Sequence, residues 1–417
     1  MIRVICSYYR KIREWGLGGV VTFVKNHIRD FRFRKVLLQN ARKYPMSPIR
    51  GVTVMADLSS NTSLSKTNRD FCFALKAAGI PYQTFDLNTG NSIYHEDVDD
   101  ILTPRDDFRI MKYTDVVEML LSPFPDELPL RKSTIAFWEF ESGFLDAYPF
   151  MWTKKCVIGM SDFNVTHFRN VLPHSAEVFK ILYPFRVPAI SPLPVDETRA
   201  RYGLRTDDFI VFFNFDYASS YGRKNPDGCL RAFAKALSDK TNAKLVFKTM
   251  RAKSHPDDVA KLMALADDLG VRDRVVSIDD YLPDADIVSL TNACDVYMSL
   301  HRGEGFGLGI AEAMSLGKPV VVTDWSSTTE FCKPDCSMPV SYKIVKTPKD
   351  KIDHPYYATL KEWAEPDIDD AARSLKKLYD NPVLRQNLGH KARESIRVQF
   401  SIENFRDSVL KFLEGHA

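Results

Sequence analysis

DVYMSLHRGEGFGLGIAEAMSLGKPVVVTD, residues 295–324, changes its character three times within thirty positions. Asp295–Leu300 is a short apolar run of strand length. Gly303, Gly305 and Gly307 then crowd a loop, and Ile310–Gly317 has the spacing of a buried helix closed by a glycine. Lys318–Asp324 is a second apolar run. Strand, glycine loop, helix and strand in that order make one turn of a parallel α/β sheet.

The alternation extends both ways. DFIVFFNFD (208–216), AKLVFKT (243–249) and RVVSID (274–279) read as strands. NPDGCLRAFAKAL (225–237), DDVAKLMALADDLG (257–270) and the stretch around IVSLTNAC (287–294) read as helices. Upstream, GVTVMADLSS, YQTFDL, STIAFWEF and KKCVIGMSDF are strand-like, with RDFCFALKAAGI a helix stopped by Gly79. Between the two series YPFRVPAISPLPVDET, residues 183–198, holds four prolines and almost no periodicity, the composition of an inter-domain linker. The expectation is two Rossmann-like, doubly wound domains facing across a cleft, with ligands beyond the carboxyl ends of their strands.

Composition fits a globular chain: 417 residues, 45% hydrophobic, 27% charged and a net charge of +3. No run of about 18 apolar residues offers a membrane span. The seven cysteines are scattered, and Cys332 and Cys336 lack the second pair that a zinc site needs, so a reducing cytoplasm is expected.

Glycines before a helix permit tight turns and close approach of a ligand to the backbone. The helix start offers free N–H groups and a positive dipole end to an anion such as a diphosphate. Such turns also occur as plain structure, so the acidic residues decide more. Glu312 stands about a turn inside the helix and Glu304 on the loop before it, so both can face one ligand. A carboxylate accepting from two neighbouring hydroxyls holds ribose in dinucleotide-binding folds. Capping or a surface role is the alternative for Glu312, which its apolar flanks oppose. Arg223 and Lys224 follow a strand closely; fixed cations there stabilise a departing diphosphate, the alternative being a solvated loop pair.

GEGFGLGIAEAMSLGKPVVVTD resembles the E-x7-E signature of family 4, the large group of retaining GT-B glycosyltransferases. FDYASSYGRKNP is similar to that family's basic phosphate-binding segment, and ACDVYMSLHRGEGFGL to its central run. WAEPDIDDAARSLKKLYDNP is similar to the C-terminal stretch of its polysaccharide-building members. The resemblance implies that Glu312 holds the ribose hydroxyls of the donor and Glu304 those of the donor sugar. The amides from Gly305 and Phe306 through Gly307, Leu308 and Gly309 would meet the pyrophosphate, and Lys224 with Arg223 would neutralise the leaving group. Base selection would fall near Ser277–Leu282, including Tyr281 and Leu282. No protein nucleophile is implied, since the leaving phosphate itself can take the acceptor proton.

The chain departs from the family pattern twice. Asn214, Phe215 and Asp216 stand where many members have a further arginine or a glycine-led turn, which shifts weight to Lys224 and to Lys248 at the end of its own strand. Trp138 and Glu139 stand where many members place a histidine, so Glu139 is a candidate for an acceptor or sugar hydroxyl, strand-end capping being the alternative. His301 is a candidate donor contact or a packed histidine. Asn61 and Ser63, in DLSSNTSLSK (57–66), are candidates for acceptor or phosphate, against a solvated loop. Asp284 and Asp286 imitate a D-x-D metal motif, yet Pro283 before them and a helix after them favour a helix start, and no metal or other cofactor is expected.

The expected order is a basic amphipathic segment 1–45, an acceptor domain 46–190, a nucleotide-sugar donor domain 191–395 and a helix 396–417 returning to the first domain. The expected activity transfers a sugar from a GDP-, UDP- or dTDP-sugar to a saccharide or lipid-linked acceptor. A GT-B phosphorylase or epimerase and a non-catalytic sugar-nucleotide binder are the rivals.

Residues 1–45 lack a signal-peptide pattern and carry eleven Lys/Arg against two acidic residues, interleaved with Trp15, Phe23, Phe31 and Phe33. This suits an amphipathic helix on an anionic membrane surface, at the inner face of the cytoplasmic membrane. A packed extension is the alternative, and nucleic acid is disfavoured because stacking and DNA-reading motifs are missing. Each basic residue near such a surface contributes about 1 kcal/mol. The full chain is therefore expected to pellet with phosphatidylglycerol vesicles at low salt and not with neutral ones. A chain starting at Ser47 should pellet with neither, and equal pelleting of the two chains would reduce the segment to a packed extension.

Overall fold

The computed structural model describes residues 47–59, 63–86, 100–101, 111–119, 132–136, 156–187, 190–349, 357 and 359–414. The basic segment 1–45, Asn61 and Trp138–Glu139 lie outside them. By packing, the chain divides into two compact units, Met1–Ile135 and Ala136–Ala417.

The first unit carries β1 (Ser47–Ala56), α1 (Ser63–Ala77), β2 (Tyr82–Asp86), β3 (Met111–Met119) and, at its boundary, β4 (Lys132–Ala136). β1 runs parallel between β2 and β3, and β4 pairs parallel with β3. Val52 and Val54 are buried, as a strand covered on both faces requires. α1 ends where Gly79 takes φ +67°, a conformation a Cβ disfavours. β3 was not evident in the sequence, because Lys112, Asp115 and Glu118 interrupt its apolar run.

The second unit opens with β5 (Cys156–Gly159), α2 (Asp162–Val171), β6 (Glu177–Lys180) and α3 (Val195–Arg201). The last four residues of the proline-rich run, 195–198, are thus already helical. There follow β7 (Phe209–Asp216), α4 (Tyr221–Lys224), α5 (Pro226–Leu237), β8 (Ala243–Met250), α6 (Pro256–Asp268), β9 (Val275–Asp279) and α7 (Asp284–Ala293). Next come β10 (Val296–Ser299), α8 (Leu308–Ser315), β11 (Val320–Thr323) and β12 (Met338–Val340). A hairpin of β13 (Tyr342–Lys346) and β14 (Glu362–Pro366) leads to α9 (Ile368–Asp380), α10 (Pro382–Gln399) and α11 (Ile402–Glu414).

β7 to β12 form one six-stranded sheet in the order β12-β11-β10-β7-β8-β9, every pairing parallel. From β7 the chain builds outward through β8 and β9, then returns to place β10 on the other side. The order reverses between β7 and β10, and such a switch point opens a crevice beyond the carboxyl ends of its two strands. Both strands are apolar and buried, which fixes them centrally.

Two helices, α10 and α11, steady this frame. On α11, Phe412 packs edge-on against Phe179 of β6 at 5.4 Å, and Leu182 N–H donates to Ser408 Oγ at 3.3 Å. On α10, Gly389 lies against the turn closing α8, where an added Cβ would sit 2.0 Å from the Gly317 carbonyl oxygen. That neighbour is backbone, so α10 must move away from α8 to admit a methyl group. Gly389→Ala is expected to cost about 1–3 kcal/mol by overpacking. Thermal unfolding checks it; an unchanged midpoint would show the two helices free to separate.

Candidate active site

The loops leaving β7 and β10 meet at the switch point. After β7 the chain makes a short turn and enters α4 through Ser220, whose φ is +69° and whose Oγ accepts from Arg223 N–H at 3.2 Å. It leaves α4 through Asn225, also left-handed at φ +56°. Asn225 Oδ1 accepts from Gly228 N–H at 3.1 Å to start α5, while Nδ2 donates to the Leu300 carbonyl of β10's end at 2.8 Å. Two strained residues thus bracket four, and the four include Arg223 and Lys224.

Both cations face Glu304. Lys224 Nζ lies 2.5 Å from Glu304 Oε1 and Arg223 Nη1 3.2 Å from Oε2. Arg223 also donates to the carbonyls of Gly303 and Ser219, each at 3.0 Å. Arg223 and Glu304 are both buried, at 6% and 8% exposure. Burial alone would raise the Glu304 pKa, but the charges of Lys224 and Arg223 outweigh it and hold the carboxyl down at about 2. The cluster therefore carries two positive charges and one negative at neutral pH.

The turn Ser326–Glu330 supports Glu304 from behind. Ser326, at φ +63°, accepts from Glu304 N–H through Oγ at 2.9 Å. Thr328 Oγ1 donates to the Trp325 carbonyl at 2.9 Å and lies 3.2 Å from His301 Nε2. The hydroxyl hydrogen being committed, His301 donates from Nε2, which leaves Nδ1 a buried acceptor with no partner among the described residues. Burial pushes the His301 pKa down to about 4, so the ring is neutral at pH 7.

The glycines do separable jobs. Gly307 takes φ +97° with Thr328 Cγ2 only 2.7 Å from where a Cβ would stand, and no side chain caps the start of α8 behind it. The first amides of α8 therefore remain available to an anion. At Gly309 a Cβ would fall 2.6 Å from both Asn214 Oδ1 and Tyr297 Oη, which are themselves hydrogen-bonded at 2.5 Å. Phe306 turns its ring inward, stacked on Tyr183 at 3.7 Å and packed against Phe331 and Phe400, so only its backbone is left to meet a ligand.

Arg223, Lys224, His301, Glu304 and the loop Gly305–Gly309 are thus brought together. Glu312 is half-buried on α8, close enough that its charge and that of Glu304 add to burial in raising the Tyr297 pKa. Lys248 is buried at the end of β8, paired in register with Asn214 and Ile278; burial lowers its pKa against the pull of Asp216, Asp279 and Asp280. Leu282 is half-buried and Tyr281 exposed on the loop after β9. Ser63 begins α1 in the first unit, and Glu139 and Asn61 are outside the described residues. Asp284 and Asp286 occupy the first turn of α7, with Asp286 bound by Arg201 at 2.7 Å. Tyr297, Asn225, Ser326 and Thr328 were not foreseen from the sequence. The run SSTTE, with polar residues straight after an apolar strand, was the available signal for the last two.

An α/β chain with a nucleotide-type switch point and this cluster defines a class: the fold is GT-B. Residues 195–336 match the family model described as Glycosyl transferases group 1, and that span includes Arg223, Lys224, Lys248, Glu304 and Glu312. Solved structures of this fold include a glycosyltransferase from Rickettsia africae, 13% identical, covering 88% of this chain and 98% of that one with TM-score 0.62. Anabaena HepE, crystallised with UDP and glucose, is 13% identical over 88% of this chain and 100% of its own, TM-score 0.60. Sucrose-phosphate synthase from Thermosynechococcus elongatus is 14% identical over 88% and 99%, TM-score 0.62. No curated protein matches the sequence.

The His301 shift makes a stability prediction. Its folded pKa of about 4 lies below the ordinary value of 6.5, so the unfolded chain binds the proton first. Stability from this group is full above pH 6.5 and is lost as pH falls towards 4. The shift corresponds to up to about 3 kcal/mol. His301→Gln should lose correspondingly less stability than wild type between these pH values in denaturant titrations. Parallel curves would remove the histidine from the acid response.

Proposed function

We propose that the chain is a retaining glycosyltransferase of family 4, of the polysaccharide-building branch. It transfers a sugar from a nucleotide diphosphate donor to a saccharide or lipid-linked acceptor, in polysaccharide or glycolipid synthesis. The observation that carries the reading is the Glu304–Lys224–Arg223 cluster beside an uncapped helix start, at the switch point of a GT-B sheet. A diphosphate fits the two cations and the amides of α8. Glu304 would accept from donor-sugar hydroxyls, with His301 Nδ1 a neutral acceptor nearby, and Glu312 would take the ribose. Lys248, Tyr281 and Leu282 would complete the donor side, and Glu139, Asn61 and Ser63 the acceptor side. UDP and glucose bound to HepE, in a chain of the same fold, support a nucleotide sugar. No metal enters this reading, because Lys224 and Arg223 supply the positive charge. The donor domain spans 191–395, and the protein works in the cytoplasm at the membrane surface through residues 1–45.

A panel of GDP-, UDP- and dTDP-sugars tested for protection against thermal unfolding decides the donor, since a ligand at 100 times its Kd adds about 2.7 kcal/mol. Protection by none would leave the site without a nucleotide. Lys224→Ala is expected to cut turnover more than it weakens nucleoside binding, because the charge matters most as the diphosphate departs. Loss of one charge-assisted contact, roughly 1.5–3 kcal/mol, lowers the rate about ten- to more than hundredfold. Unchanged turnover at saturating donor would assign Lys224 to the surface.

A further inference from the structure

Arg302, between His301 and Glu304, belongs to no part of the mechanism above, yet it is buried at 4% exposure. Its guanidinium makes a two-pronged bond to Glu365 of β14, Nε to Oε2 and Nη2 to Oε1, both 2.7 Å. The same group lies over the Trp363 ring with its carbon 4.5 Å from the centroid. The remaining prong, Nη1, donates to the Gly222 carbonyl at 2.5 Å, and Arg302 N–H donates to the Arg223 carbonyl at 2.9 Å. One side chain therefore joins the hairpin, the glycine loop and the short helix that carries both cations. The hairpin touches that helix again, where the Arg223 guanidinium lies 6.0 Å from the Tyr357 ring centroid.

We propose that the β13–β14 hairpin is a working part of the donor site, in which Glu365 and Trp363 hold Arg302 and through it set Arg223 and Lys224 against Glu304. These are positioning residues, and the proposal rests on the reading of Arg223 and Lys224 as the leaving-group cations. Two cations, Arg223 and Lys224, share the Glu304 carboxylate, and a third charge, Arg302, two residues from Glu304 in sequence, has a carboxylate of its own in Glu365. Glu365 takes the third out of competition in a fork that only a planar guanidinium fills, and Trp363 shields it from water. Without Glu365 the Arg302 charge is free to turn towards Glu304 or an incoming phosphate. A diphosphate would then meet more positive charge in a less ordered arrangement: binding survives and catalysis suffers.

Glu365→Gln in the full chain separates these effects. Turnover should fall at least about tenfold while pyrophosphate, measured by calorimetry, and the donor bind as tightly as to wild type or more tightly. Glu365→Asp, which keeps the carboxylate, should recover most of the turnover, and Arg302→Lys, which keeps charge but not the fork, should not. Unchanged turnover in Glu365→Gln overturns the proposal. So does a parallel fall of turnover, affinity and unfolding temperature, the mark of a merely structural contact. A second readout needs no transfer activity: the effects of Lys224→Ala and Glu365→Gln on pyrophosphate affinity should fail to multiply, and multiplicative effects overturn the clamp. Wild type that binds pyrophosphate but transfers no sugar would sink the reading as a transferase and leave the clamp to that cycle. Wild type that binds neither pyrophosphate nor a nucleotide sugar sinks both.

Discussion

A carboxylate held out of water between two cations is the constraint around which this unit is arranged. Taking three charges from water is costly, and such groups are poor value as stability alone, since apolar replacements of similar shape often do as well. Their cost is contained here by close pairing. Lys224 and Arg223 each reach a different oxygen of Glu304, and two backbone carbonyls take further arginine hydrogens. Every element nearby serves that arrangement: β7 and β10 bring the loops to one edge, Asn225 ties them together, and Ser326 fixes the backbone of the glutamate.

The strain in the backbone is concentrated in the same place. Of the four non-glycine residues with positive φ among those described, Ser220 and Asn225 flank α4, and Ser326 supports Glu304. The fourth, Arg251, pairs with Asp216 at the end of β7. Conformations of this kind cost on the order of 1–3 kcal/mol each and persist where the surroundings over-determine them. The buried strands and the aromatic cluster under Phe306 supply that rigidity.

How far the sequence could be read follows from how local each feature is. The strand, loop and helix of residues 295–324, the stop at Gly79 and the helix start at Asp284 depend on neighbours within a turn or two, and all were legible. The pairing of Glu304 with Lys224, 80 positions earlier, and with its neighbour Arg223 was not, because only the strand order brings them together. β3 was hidden by its charges. Gly309 was read only for its amide, and the packing reason for a glycine there, the Asn214–Tyr297 hydrogen bond that fills the space of its missing side chain, was not legible. For Phe306 the sequence pointed to the backbone amide and said nothing of the ring, which is committed to the core.

The pairing of Glu304 with Lys224 and Arg223 also means that the cations are never bare. An anion arriving from solution competes with a carboxylate tethered in place, whose effective concentration is far above that of any dissolved monovalent ion. Chloride or acetate offers one charge against one and gains nothing by the exchange. On the proposed reading, a group bearing two or more charges on adjacent oxygens would engage both cations and the helix start together. The internal ion pair would then act as a filter on valence in a salt-filled medium.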